Sequence, residues 1–175
     1  MKSMVVVSSR TGNTRMVAEA VFEALPEPKE IFNVEDAPSP DGYDFIALGF
    51  WVDKGTADAK AMAYFKAVAD KKIGVFGTLG AYPDSDHARE CMARVCDLLS
   101  GNQILGTFLC QGRVDPKLIK MMEKMKDDPH HSMTPERKAR LAEAAKHPDE
   151  NDLENAKDQF EKMGLEAKEL CGCAQ

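Results

Sequence analysis

The chain has 175 residues, 43 % of them hydrophobic and 30 % charged, and a formal net charge of −6. That length fits one domain with an ordinary core, and the composition is that of a soluble globular protein. The acidic balance speaks against a nucleic-acid-binding surface, no apolar run reaches the ~18 residues of a membrane span, and the N-terminus lacks the layout of a signal peptide.

Val5, Val6 and Val7 form a β-branched run, expected of a strand buried on both faces. A polar turn follows over residues 8–14. Residues 15–25 then set Met16, Val17, Ala20, Val21, Ala24 and Leu25 on one helical face. Pro26 and Pro28 end that helix, and residues 29–33, with Ile31 and Phe32, are the second strand. Residues 43–49 are the third. The loop over 50–56 carries the single tryptophan, Trp51, and Thr56 or Asp58 caps a helix expected to reach about residue 69. Residues 72–77 are the fourth strand and 78–83 the loop beyond it. Asp84, Ser85 and Asp86 offer caps for a helix through Ala88, Cys91, Met92, Val95, Cys96 and Leu99, stopped by Gly101. Residues 104–110 are the fifth strand. The alternation predicts an α/β fold with a doubly wound parallel sheet. In strand order 2-1-3-4-5, ligands sit beyond the carboxyl ends of strands one, three and four.

Beyond Gln111 the pattern changes. Residues 116–125 predict a helix with Leu118, Ile119, Met122 and Met125 on one stripe, and 127–132 a loop. Thr134-Pro135-Glu136 starts another helix, to about residue 145. His147-Pro148 breaks it. Leu153, Ala156, Phe160 and Met163 mark a last helix that Gly164 is expected to end, with a tail over 165–175. The chain thus reads as a single domain, 1–175, in which 112–150 is a helical insertion.

Three loops carry the chemistry. At the first strand–helix turn, backbone N–H groups and the positive end of a helix dipole converge, which suits a phosphate. Ser9, Thr11, Asn13 and Thr14 add polar side chains, and Gly12 permits close backbone approach. The turn lacks Gly-Lys-Ser/Thr and Gly-x-Gly-x-x-Gly, so a phosphate monoester held by neutral donors is expected. Ser9-x-Thr11-Gly12-Asn13-Thr14 in this place resembles the phosphate loop of the flavodoxin family. The resemblance covers residues 1 to about 112 and implies a three-layer α/β/α fold with a five-stranded sheet, extra C-terminal helices, and FMN as cofactor. Arg10 departs from the small or polar residue often found there; it either pairs with the phosphate or lies in solvent.

The resemblance assigns the loop of Phe50, Trp51, Val52, Asp53, Lys54 and Gly55 to one flavin face. Trp51 is the stacking candidate. It follows Gly49 by two residues, earlier than in flavodoxins, so it alternatively closes over the phosphate or ribityl end and leaves Asp53, Lys54 and Gly55 at the ring. Gly55 suits a rotating peptide. Thr78, Leu79, Gly80 and Tyr82 follow the fourth strand; the resemblance implies Tyr82 on the other flavin face and amides near the pyrimidine edge. Residues 111–148 lie outside the flavodoxin pattern, although Cys110-Gln111-Gly112, Met133 to Arg137 and His147 to Glu150 resemble stretches of flavodoxin-like proteins from anaerobes.

No nucleophile–base pair or carboxylate pair stands out, so the chemistry is expected to be the cofactor's and no catalytic residue is assigned. The five cysteines are an odd, irregularly spaced set, which fits a reducing cytoplasm. Cys110 reads as buried and inert. His130, His131 and His147 read as solvated loop residues, with no metal site completed. The implied function is electron transfer between redox protein partners met through an acidic surface, as monomer or dimer. The alternatives are an FMN-dependent NAD(P)H or quinone oxidoreductase, and a non-redox module for a phosphorylated ligand.

Overall fold

Strand β1 (Ser3–Val7) is buried along its whole length and lies inside a parallel sheet, with a strand on either side. The computed structural model describes residues 1–124 and 133–172. Helix α1 (Asn13–Ala24) follows, then β2 (Lys29–Asn33), β3 (Phe45–Asp53), the two-residue β4 (Thr56–Ala57) and α2 (Ala59–Phe65). Next come β5 (Lys72–Leu79), α3 (Asp86–Leu98) and β6 (Gln103–Gln111). Helices α4 (Pro116–Lys124), α5 (Pro135–Ala144) and α6 (Glu150–Gly172) complete the described chain. The strand order is β2-β1-β3-β5-β6, all parallel, with β4 antiparallel on β3. The five parallel strands therefore have the predicted 2-1-3-4-5 connectivity.

Side chains alternate across the sheet because the strand period is two. Met4, Val6, Ile46, Leu48, Ile73 and Val75 face α2 and α3, packing with Phe65 and Val95. Val5, Val7, Phe45, Ala47 and Phe76 face α1 and α6, packing with Val17, Val21 and Phe160. Phe160 stands edge-on to Phe76 at 5.6 Å between ring centroids, a pairing worth about 1 kcal/mol beyond area burial.

Four expectations are corrected. Residues 50–53 extend β3 instead of forming a loop. Lys54 (φ 48°) and Gly55 (φ 83°) make the two-residue turn that folds the chain back as β4, since both central residues of such a turn need positive φ. Thr78 and Leu79 likewise extend β5, where they pair with Cys110 and Gln111. Helix α2 stops at Phe65, and Ala67 and Val68 close a tighter turn through N–H bonds to the carbonyls of Tyr64 and Phe65. Gly164 does not end α6, which runs on to Gly172 through the expected tail. A Cβ at Gly164 would lie 2.9 Å from Pro26 Cδ, so the glycine lets α6 approach the end of α1. Met125, residues 127–132 with His130 and His131, and Cys173 fall outside the described residues. Among the described residues no helix is long and apolar enough to cross a membrane.

Candidate functional site

The site lies where the parallel strands end. Ser8 follows β1; its N–H donates to Gly49 O at 2.9 Å and its hydroxyl to Asp58 Oδ1 at 2.7 Å. Gly12 caps α1 at φ 93°, and a Cβ there would meet nothing within 4 Å, so the turn is open above the glycine. Among the described residues no hydrogen bond engages the backbone N–H groups of Arg10, Thr11, Gly12, Asn13 or Thr14. Helix starts leave such donors free, and the dipole adds positive potential at the same point. The Ser9 hydroxyl accepts from Arg15 N at 3.3 Å and the Thr11 hydroxyl from Asn13 Nδ2 at 3.0 Å. Both hydroxyls keep their protons for an incoming oxygen.

Three side chains of this turn are already engaged. The Thr14 hydroxyl meets the Thr78 hydroxyl at 2.9 Å, and both residues are buried. Asn13 Nδ2 also donates to Arg113 O at 2.9 Å. Arg10 pairs with Asp115 at 3.2 Å and lies over the Trp51 ring at 5.5 Å, with about half of its side chain exposed. The loop after β6 thus closes one side of the turn. Gly112 packs so tightly there that a Cβ would stand 2.9 Å from Asn13 Nδ2. The Arg113 peptide is held from both sides, because its N–H donates to His147 O at 3.1 Å.

On β3 the side chains alternate. Phe50, expected in the loop, is fully buried against Phe65, with its ring turned away from the site. Trp51 takes the opposite face, half-buried, and lines two cavities. The first, of about 90 Å³, lies among Thr11, Asn13, Thr78, Gly80, Gly112 and Leu118. The second, of about 470 Å³, holds Ser9, Asp53, Asp58 and Lys60. Asp58 is 2 % exposed and caps α2, yet its Oδ2 has no hydrogen-bond partner among the described residues. A third cavity, of about 650 Å³, shares Val52, Leu79, Gly80, Val114 and Leu118 with the first and extends past Lys54, Gly55 and Tyr82 to α3 and α5. Tyr82 is 43 % exposed, and its carbonyl accepts from the Ser85 hydroxyl that caps α3. The Gly55 carbonyl accepts from Arg94 Nη1 at 2.7 Å.

Sequence reading missed Ser8, Asp58, Gly112, Arg113 and Asp115 as site neighbours. Asp58 was visible as a helix cap. Contact of the others with the turn depends on strand ends brought together by the sheet. His147, expected to be a solvated loop residue, is half-buried. Its Nδ1 lies 2.5 Å from Asp152 Oδ2, and that hydrogen bond raises the imidazole pKa above its ordinary value against the opposing effect of burial. Ligand atoms of His147, Asp149 and Asp152 lie within 4.8 Å of one another. Asp149 and Asp152 cap the start of α6 reciprocally, each carboxylate accepting the other's N–H at 2.9–3.0 Å. Cys110 is buried, and burial, more than the neighbouring Asp152 and Asp149, pushes its thiol far up.

Free amides at a helix start thus lie beside adjoining cavities at the carboxyl ends of a doubly wound sheet, an arrangement that suits an anionic group. The adjoining space suits a body larger than the anion alone. The chain belongs to the flavodoxin-domain family, whose model matches residues 4–161. It is 32 % identical over 162 residues to the flavodoxin-like domain-containing protein BilS of Clostridioides difficile (strain CD3), covering 89 % of this chain and 92 % of that one. Its fold is similar to oxidised flavodoxin 1 of Bacillus cereus, with a TM-score of 0.60 and 18 % identity over 95 % of this chain and 98 % of the other. A flavoprotein of Lactobacillus acidophilus NCFM, solved in complex with FMN, aligns with a TM-score of 0.51 and 13 % identity over 62 % of this chain and 92 % of that one.

Proposed function

We propose that the chain binds one FMN noncovalently and carries electrons between redox proteins. The observation that carries this reading is the set of unpartnered N–H groups from Arg10 to Thr14 at the start of α1, next to cavities lined by Trp51, Thr78 and Gly80. Membership of the flavodoxin-domain family supports it. The turn amides with the Ser9 and Thr11 hydroxyls would hold the phosphate, which needs no lysine or metal when several neutral donors and a helix dipole converge. Asp58 Oδ2, buried and without a partner among the described residues, offers an acceptor for a hydroxyl of the ribityl chain. Trp51 and Tyr82 supply flat apolar surface for the ring, Gly80 lets its backbone approach, and Lys54 and Gly55 form the turn beside it. FMN would supply reversible one- and two-electron chemistry. The chain's part is to bind it, exclude water from one side and leave an edge reachable. The net charge of −6 suits docking on a basic partner, with association that weakens in salt.

One observation favours a second reading, an FMN-dependent NAD(P)H or quinone oxidoreductase: the cavity of about 650 Å³ beside Tyr82 has room for a second small molecule. Incubation with FMN, desalting and a visible spectrum test both. Retained flavin that takes up dithionite electrons in two separable one-electron steps is the result expected of a carrier. Uptake in one two-electron step, with turnover of NAD(P)H and a quinone, moves the assignment to the reductase. Colourless protein after desalting refutes both and leaves a module for a different phosphorylated ligand.

A further inference from the structure

The cavity of about 650 Å³ extends past the Lys54–Gly55 turn to a wall on α3 and α5. Arg94 comes to it from α3, Arg140 from α5 and Lys54 from the β3–β4 turn. Among the described residues of the lining the carboxylate is Glu90, and it is engaged by Arg94 at 3.3 Å. FMN has a single anionic group, and the proposed place for it is the turn of Arg10 to Thr14, which lines none of this cavity. Arg140 therefore stands apart from the proposed phosphate site.

Arg140 is the residue that points to a ligand. Its Nε is buried and donates to nothing among the described residues. A buried N–H without an acceptor is costly, and a bound anion removes that cost. Arg94 differs, since its guanidinium is held by the Gly55 carbonyl and Glu90. Around the cations the lining includes the apolar side chains of Val114, Leu118, Met122 and Leu141, with Ser85 and His87 at the start of α3. A dinucleotide would bring several phosphates and sugar hydroxyls to these apolar walls. An apolar body with one planar anionic head fits both halves of the lining, and a guanidinium fork matches a carboxylate in two parallel bonds.

We infer that this cavity binds a small organic carboxylate with an apolar body, its carboxylate on Arg140, beside the flavin site. The inference rests on the FMN reading only for the identity of the neighbour. The test is fluorescence titration of the protein, with and without FMN, with 1-pyrenebutyrate and its neutral counterpart 1-pyrenebutanol. The acid is expected to bind at least about tenfold more tightly than the alcohol. Arg140→Gln is expected to abolish that preference and leave FMN retention unchanged. Arg140→Lys, which keeps the charge, retains part of the preference and so separates lost charge from a damaged fold. Lys157→Gln, at the distant ion pair with Glu23, keeps it in full.

Equal affinity for acid and alcohol overturns the inference, as does an acid preference that survives Arg140→Gln. Loss of FMN in Arg140→Gln overturns it too, by giving the arginine wall to the flavin phosphate. Displacement of 1-pyrenebutyrate by NADPH in an Arg140-dependent way replaces the carboxylate with a dinucleotide. Protein that retains no FMN but keeps the Arg140-dependent preference fails the cofactor reading and leaves the cavity assignment standing.

Discussion

Replacing Thr14 with valine keeps the side-chain shape and deletes the hydroxyl that meets Thr78 Oγ1 at 2.9 Å. Thr14 is 1 % exposed and Thr78 4 %, so the pair is largely shielded from bulk water. A neutral hydrogen bond contributes about 1 kcal/mol net, and a buried partner left without one costs about 1–3 kcal/mol. Thr14→Val and Thr78→Val are each expected to lower the unfolding free energy by about 2 kcal/mol. The double variant removes both polar groups together and is expected to lose no more than either single one, a coupling of about 2 kcal/mol. Urea unfolding of the flavin-free protein, followed by circular dichroism with a common m-value, measures all three. Because Thr78 occupies the Thr14 hydroxyl, FMN affinity should change by less than about threefold in Thr14→Val, whereas Thr11→Val, which removes a hydroxyl that keeps its proton at the turn, costs about 1 kcal/mol, or about fivefold. Additive single-variant losses would refute the pairing. A tenfold loss of FMN affinity in Thr14→Val would show that the hydroxyl serves the ligand.

Three further outcomes are expected. Trp51→Ala removes the flat surface between two cavities and the partner of Arg10; FMN affinity measured by flavin fluorescence should fall about tenfold, and an unchanged affinity would exclude Trp51 from the ring or ribityl site. Gly164→Val drives side-chain atoms into Pro26 and Leu25, costing about 1–3 kcal/mol and lowering Tm; a higher Tm would show that α6 does not need the close approach. The raised pKa of His147, caused first by its hydrogen bond to Asp152, makes the pair most stabilising below the unfolded value of about 6.5, and that contribution is lost as pH rises through the folded value. The stability gap between the protein and Asp152→Asn should therefore narrow above pH 6.5 in urea unfolding, and a gap that widens with pH would overturn the assignment.

Local rules carried much of the fold. The valines of β1, the alternation of strand and helix, Gly12 at the first turn, and the caps Asp58, Ser85 and Thr134 each follow from residues within a turn of one another. The same holds for the Lys54-Gly55 turn, which closes a hairpin where the sequence predicts a loop. Gly164 misled because glycine is a common helix stop, and its use here is packing against Pro26, a residue far away in the chain.

By itself the sequence determined the doubly wound sheet and the strand–turn–helix unit that opens it, because hydrophobic period, caps and turn chemistry act over a few residues. Tertiary structure decided where individual polar groups are spent. Thr14 is taken by Thr78, Arg10 by Asp115 and Trp51, and Asn13 by Arg113. It also decided that Phe50 belongs to the core and that arginines of α3 and α5 share one cavity. The physical reason is range: a hydrogen bond, an ion pair or a cavity wall needs groups within a few ångströms, and only the packed sheet brings residues that distant in sequence so close.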